Sequence, residues 1–397
     1  MKHSVDELAV LGSPPAFSHK LHVGQPNPGD RAYFMQRVER ILDSKWYTNH
    51  GECVRELEAS LSQYLGVKHC IAVSSATVGL EIAIRAMPLH GEVIVPSMTF
   101  VATAHALQWQ QIKPVFCDVD EASHLLDPQA VRRLITERTT GIIGVHLWGR
   151  ACPVEALQEI ADEHGLQLLF DAAHAFGCTH GGQMIGGFGR AEVFSFHATK
   201  FFNTFEGGAI TTNDDELARR LRAMVNFGIT GVDEVSYVGT NGKMSEISAA
   251  MGLASMRTID EFLAVNRLNH QTYQRHLAHV PGVLLRDWAP LERNNLQYVV
   301  LEYTPPPGGP SRDDILRALQ AENVMARKYF WPGCHRMEPY RTLNAGLPLQ
   351  LERTEALAEK LLVLPTGTGV NLQEIEGICH LLSLMVGAGS RLAQGAS

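Results

Sequence analysis

The chain has no run of lysine or arginine. Its 34 basic residues are outnumbered by 42 acidic ones, for a formal net charge of -8, which excludes a surface built for nucleic acid or anionic lipid. Partners are therefore expected among small molecules and further copies of the chain. No apolar run approaches the roughly 18 residues of a membrane-spanning helix. The first segment, MKHSVDELAVLGSPPAF, carries two acids and no long apolar stretch, so no export signal is expected. The 7 cysteines are odd in number and scattered, without a CxxC pair. Reduced thiols in a cytoplasmic protein are the expectation. Internal repeats and low-complexity tracts are missing as well.

Two motifs also fall short. Gly186, Gly187 and Gly189 approach a dinucleotide-binding loop, but no third glycine follows at the right step and no helix pattern opens there. His174, Cys178 and His180 match no common zinc spacing, so no metal is expected.

What is present is an alternation of short apolar runs with amphipathic stretches. Runs at His69 to Val73, Val93 to Pro96, Pro114 to Asp118, Gly141 to Val145, Leu166 to Phe170, Glu192 to Phe196 and Gly208 to Thr212 read as strands. Helix patterns lie between many of them, among them Val78 to Ala86, Pro153 to His164 and Asp214 to Phe227. This alternation is characteristic of an α/β domain with a mainly parallel sheet. At 397 residues the chain is expected to divide further. The division expected is an N-terminal arm at 1–30, a large domain at 31–255, a connecting helix at 256–280 and a smaller C-terminal α+β domain at 281–397. The last residues are expected to be loose. The small-residue helix from Ile247 to Gly252 is expected to pack closely, at an interface.

The stretch from Leu166 to Asn213 organises the rest. Asp171 ends a strand that is apolar on both faces, at the edge of a parallel sheet where ligands bind. Lys200 follows the next strand. A lysine and an acid at the ends of neighbouring strands suit carbonyl–amine chemistry on pyridoxal phosphate, with the lysine holding the cofactor as a Schiff base and the carboxylate against its pyridine nitrogen. Upstream, Ser74 to Thr77 joins a strand to a helix N-terminus. That arrangement suits an anion such as the cofactor phosphate, and equally an ordinary helix cap. Phe100 emerges near the sheet edge, where a ring can stack on a cofactor or simply join the core. The polar and aromatic loop Trp46 to Gly51 suits either a connector or a ligand mouth.

The central stretch, together with SSATVGLEIAIRA at Ser74 to Ala86, VPSMTFVATA at Val95 to Ala104, VHLWG at Val145 to Gly149 and GTNGKMSE at Gly239 to Glu246, resembles the DegT-type sugar aminotransferases. These are fold-type-I enzymes dependent on pyridoxal 5'-phosphate that aminate keto sugars on nucleotide carriers. The resemblance implies Lys200 as the Schiff-base lysine, Asp171 as partner of the pyridine nitrogen and His174 near the ring hydroxyl. It implies Phe100 as the stacking ring, and Ala76, Thr77 and Ser195 around the phosphate. Asn241 would reach the phosphate from the neighbouring subunit, so a homodimer with shared sites is implied. A related branch that removes a hydroxyl group replaces the lysine by histidine, and Lys200 therefore points to transamination.

Among substrates, the resemblance is nearest to enzymes acting at C4 of dTDP-4-keto-6-deoxyglucose with L-glutamate as donor, in deoxysugar biosynthesis. Candidate contacts for the sugar and its carrier are Tyr47, Asn49, Arg327, Tyr329 and His335. Amination at C3, or of a keto-cyclitol, uses the same cofactor machinery. A non-catalytic member of the fold would bind cofactor or nucleotide sugar without turnover.

Overall fold

The apolar runs pair into one seven-stranded sheet. The computed structural model describes residues 2–287, 291–389 and 391–394. The sheet strands are β1 (His69–Val73), β2 (Glu92–Pro96), β3 (Lys113–Cys117), β4 (Thr139–Val145), β5 (Gln167–Asp171), β6 (Ala191–Ser195) and β7 (Gly208–Thr212). Their order across the sheet is β1-β7-β6-β5-β4-β2-β3. Within it β7 runs antiparallel to both its neighbours, and the remaining pairs are parallel.

Side chains on these strands alternate between two apolar layers, as the period of two requires. Leu169 of β5 packs on one face with Val73, Val93, Ile143, Val193 and Ile210. Leu168 and Phe170 turn to the other face with Ile94, Ile142 and Trp148. Each such fully buried aliphatic or aromatic side chain contributes roughly 1.5–3 kcal/mol. Covering both faces of a mainly parallel sheet explains why its strands read as continuous apolar runs rather than as alternating ones.

The helices that cover the sheet are α1 (Arg31–Ser44), α2 (Glu52–Leu65), α3 (Ala76–Ala86), α4 (Ala102–Gln108), α5 (Pro128–Leu134), α6 (Val154–His164), α7 (Asp215–Val225) and α8 (Glu246–Met256). The small residues of α8 serve contacts inside the chain. A Cβ on Gly252 would stand 2.9 Å from Leu57 Cδ2 and 2.9 Å from Thr204 Cγ2. Close packing of this helix is made with α2 and the loop before β7.

A long helix, α9 (Ile259–Leu277), leads to a three-stranded antiparallel sheet of β8 (Val283–Leu285), β9 (Val299–Tyr303) and β10 (Leu361–Leu364), with β9 in the middle. The N-terminal arm lies over this part of the same chain. Leu8, Phe17 and Leu21 join its apolar cluster, and Leu21–His22 pairs in parallel with Val324–Met325. The helices Glu352–Lys360 and Leu372–Gly387 complete it. The final residues 395–397, expected to be loose, lie outside the described residues. Among the described residues, no helix is long and apolar enough to cross a membrane, and no group of three or more His, Cys, Asp or Glu side chains is placed to hold a metal. All seven cysteines are free and buried.

Candidate active site

A cavity of about 370 Å³ opens at the C-terminal edge of the parallel strands, within the roughly 300–1,000 Å³ of small-molecule sites. The sheet supplies its walls. Ser75, Ala76 and Thr77 come from the start of α3, Phe100 and Ala102 from the connection after β2, and Asp171 and His174 from the end of β5. Ser195 ends β6, His197, Thr199 and Lys200 follow it, and Tyr298, Tyr329 and Phe330 close the cavity from the C-terminal part of the chain.

Asp171 is only 5% exposed. Its Oδ2 accepts a hydrogen bond from Thr103 Oγ1 at 2.8 Å, and its Oδ1 one from the Ala173 N–H at 3.1 Å. Burial raises its pKa above the usual carboxylate range against these two donors and the Lys200 charge. Lys200 donates from Nζ to Tyr298 Oη at 2.9 Å. Burial lowers its pKa to about 8, opposed by Asp171 and Tyr329. About a tenth of the amine is therefore uncharged, hence nucleophilic, at pH 7, far more than in an ordinary lysine.

His174 sits among rings, stacked on Trp148 with centroids 5.7 Å apart and tilted against Tyr298 at 4.4 Å. Burial, and secondly Lys200, holds its pKa well below the ordinary 6.5. The Trp148 N–H donates to its Nδ1 at 3.4 Å. The neutral ring therefore carries its proton on Nε2. Trp148 itself adopts a left-handed backbone conformation, φ 59°, held by contacts of its ring with Phe330 and by its indole N–H, which donates to His124 Nδ1 at 3.3 Å.

At the other end of the cavity Ser75 caps α3, accepting a hydrogen bond from the Val78 N–H at 3.2 Å. The cap reading and the anion reading of this turn are compatible, because a helix leaves four N–H groups without intrahelical partners and the cap takes one. The strand behind it must be glycine at 208. A Cβ there would lie 2.9 Å from Ala76 N and 2.5 Å from Phe194 O. Phe100 is 58% exposed, so the core reading of this ring fails and its face is open to the cavity.

The other candidates divide. Tyr329 lines the cavity. Tyr47 and Asn49 do not: their loop stands beside a separate cavity of about 240 Å³ around Trp46, Arg37 and Glu246. Arg327 is exposed and bridges Val363 through its backbone. His335 is 6% exposed and its ring is occupied elsewhere: Nδ1 lies 2.7 Å from Ser97 Oγ and Nε2 3.1 Å from Glu355 Oε1. Its expected place at the substrate is thereby corrected to a buried tie between the β2 connection and helix Glu352–Lys360. Asn241 is exposed, forms an antiparallel backbone bridge with Asn226, and does not line the cavity of its own chain. Sequence reasoning passed over Thr103, Trp148, Tyr298 and Phe330. The aromatic content of Tyr329 to Trp331 and the WG of Val145 to Gly149 were signals for two of them.

This donor set fits pyridoxal phosphate. A buried carboxylate at the end of β5, with room beside it, and an amine with a depressed pKa on the loop after β6 line one cavity, an exposed ring flanks them, and a helix N-terminus faces the same space. Comparison with known proteins agrees. Residues 28–383 match the DegT/DnrJ/EryC1/StrS aminotransferase family. The dTDP-4-amino-4,6-dideoxy-D-glucose transaminase of Shigella dysenteriae is 35% identical over 347 residues, 87% of this chain and 93% of its own. The Escherichia coli protein of the same name is 34% identical over 363 residues, 91% and 97% of the two chains. Among solved structures, DesI with its TDP-sugar product shares 47% identity over 98% of this chain and 99% of its own, with a TM-score of 0.94. With identity and coverage of this order, the chain belongs to the DegT/DnrJ/EryC1/StrS aminotransferase family and is a pyridoxal-phosphate-dependent sugar aminotransferase.

Proposed function

We propose that the chain transfers the amino group of L-glutamate to C4 of dTDP-4-keto-6-deoxyglucose. The observation that carries the transamination half of this reading is the pairing of Lys200 with Asp171 across β5 and β6. Both line one cavity, and a lysine is present where loss of a hydroxyl group would call for another residue. The choice of sugar is supported by relatives whose names specify a dTDP-linked 4-amino-4,6-dideoxyglucose and by a neighbour solved with a TDP-sugar.

Bound in the cavity, pyridoxal phosphate supplies an aldehyde for the amine and a ring that accepts electrons from a carbon losing its proton. Lys200 Nζ would hold the cofactor and, when free and uncharged, take the proton from the donor's α carbon and return it on the other side of the exchange. Asp171 would keep a proton on the pyridine nitrogen, braced by Thr103 and the Ala173 N–H. His174, with its proton on Nε2, would donate to the ring hydroxyl oxygen. Ala76, Thr77 and Ser195 would hold the phosphate at the start of α3, where N–H groups and helix dipole favour an anion. Phe100 would lie over the ring, and Tyr329 would meet the sugar. Tyr47, Asn49 and Arg327 stay candidates only for a carrier that reaches beyond the cavity, or for a site completed by a partner.

A homodimer is part of the proposal, with Asn241 of one subunit serving the other's phosphate. So are the division into a large domain at 31–255, a connecting helix at 256–280 and a small domain at 281–397, and a cytoplasmic location. Mass spectrometry of the product from a panel of nucleotide keto sugars, with glutamate as donor, tests the reading. An amine gained by a C3-keto sugar or a keto-cyclitol and not by the C4-keto sugar would displace it. No amine on any of them would favour a binding protein without turnover.

A further inference from the structure

Lys200 Nζ has a second neighbour besides the acid. The Tyr298 hydroxyl receives its hydrogen bond at 2.9 Å, and Nζ also lies 5.5 Å from the centroid of the Tyr298 ring. Tyr298 immediately precedes β9, 98 residues further along the chain, where the smaller sheet begins. Its ring is fixed on two sides, by His174 at 4.4 Å and edge-on by Trp148 at 5.4 Å. The hydroxyl therefore has a set position. The charged and titratable groups facing Nζ are Asp171 from the end of β5, His174 beyond it, Tyr298 from the segment just before β9 and Tyr329 from the turn ahead of Phe330.

From this geometry we infer that Tyr298 is a catalytic residue, the dock of the Lys200 amine whenever that amine is not bonded to the cofactor. The inference rests on reading Lys200 as the lysine that bonds the cofactor. A phenol suits the task because it works in both charge states of its partner. Toward an ammonium its oxygen accepts an N–H. After the amine has given its proton to the reacting carbon, the hydroxyl turns and donates its O–H to the nitrogen lone pair. The phenol loses no proton in either state, since burial pushes its own pKa above the ordinary range. The amine is thus kept at one place through the exchange of partners, instead of turning toward Asp171. The first of the two bonds is charge-assisted and the stronger, so the dock favours the ammonium.

That asymmetry gives a test that needs no turnover. Apoenzyme is mixed with pyridoxal phosphate across a pH series, the rate of condensation is followed by absorbance, and the product is trapped with borohydride and mapped. The wild-type rate should rise with a midpoint near the lysine value of about 8. In Tyr298→Phe, which keeps the ring against His174 and Trp148, the midpoint should fall by about one pH unit, the size of a lost charge-assisted hydrogen bond. If the Phe variant does not accumulate as folded protein, Tyr298→Leu removes the same hydroxyl and carries the same comparison. A midpoint unmoved with the label still on Lys200 would overturn the dock and leave the function standing. A label elsewhere would overturn both.

Discussion

Thr103 Oγ1 stands 2.8 Å from Asp171 Oδ2 and 2.9 Å from Thr99 Oγ1, so the carboxylate is held by a hydroxyl that is itself held. Thr103 lies on α4 and Asp171 at the end of β5, and both are buried. Replacing Thr103 by valine keeps the volume and removes one donor from a buried anion. A hydrogen bond to a charged group is worth about 1.5–3 kcal/mol, so kcat/KM should fall by about tenfold or more. The sign for pH follows from the donor's role. The Asp171 pKa is already raised by burial, and losing Thr103 raises it further. The acid limb of the activity profile should therefore move to higher pH, and a limb that stays in place would show that Thr103 does not act through Asp171.

The same carboxylate should weaken the fold of the cofactor-free protein. An acid whose pKa is raised in the folded state binds its proton more tightly there than in the unfolded chain. Its favourable contribution is present at low pH and is lost as pH rises through the folded value. At neutral pH, Asp171→Asn removes a buried charge, while the Thr103 hydroxyl can turn to accept from the new amide. Apo Asp171→Asn should melt at or above the wild-type temperature at pH 7 to 8 and yet bind the cofactor poorly. Calorimetry of the two apoproteins checks this, and a clearly lower melting temperature counts against it.

His335 should matter to stability rather than to substrate. Its ring joins Ser97 to Glu355, and His335→Ala leaves both short of a partner. A loss of about 1–3 kcal/mol on urea denaturation is expected, with KM for the sugar nearly unchanged. Burial lowers its pKa from 6.5 although Glu355 works the other way. A histidine with a lowered folded pKa is protonated first in the unfolded chain. Its share of stability is present above the ordinary 6.5 and disappears as pH falls below it. His174 and His270 are shifted in the same direction by burial, so melting temperature should drop on acidification and drop less steeply in His335→Gln.

The sequence disclosed the strands better than their arrangement. His69 to Val73 and Gly208 to Thr212 begin and end where expected, because each is an apolar run closed by turn-forming residues. That β7 enters between β1 and β6, antiparallel to both, depends on side-chain fits spread over 140 residues, and no local pattern records it. The site shows the same division. Asp171 and Lys200 were legible because one strand end follows another within 30 residues and a chemistry joins them. Tyr298 was not, since as a residue of a strand it looks like any half-buried aromatic until the small sheet is folded against Lys200. His335 misled for a related reason: six residues from Tyr329, on a turn too aromatic for plain solvent, it points into the protein because Ser97 and Glu355 are there to receive it.

Asn241 tests the shared site most directly. It is exposed, outside its own chain's cavity, and the proposal sends it to the phosphate held by a partner subunit. Asn241→Asp would set a carboxylate against that phosphate and Lys200→Ala removes the amine, so each homodimer alone should be almost inactive. Mixed and allowed to exchange subunits, the two give a heterodimer with one site carrying both lesions and the other carrying neither. With random exchange of a symmetric dimer, about a quarter of the wild-type activity per subunit should return. Mixing without recovery, while native mass spectrometry shows the heterodimer present, would place Asn241 in service of its own subunit or of none.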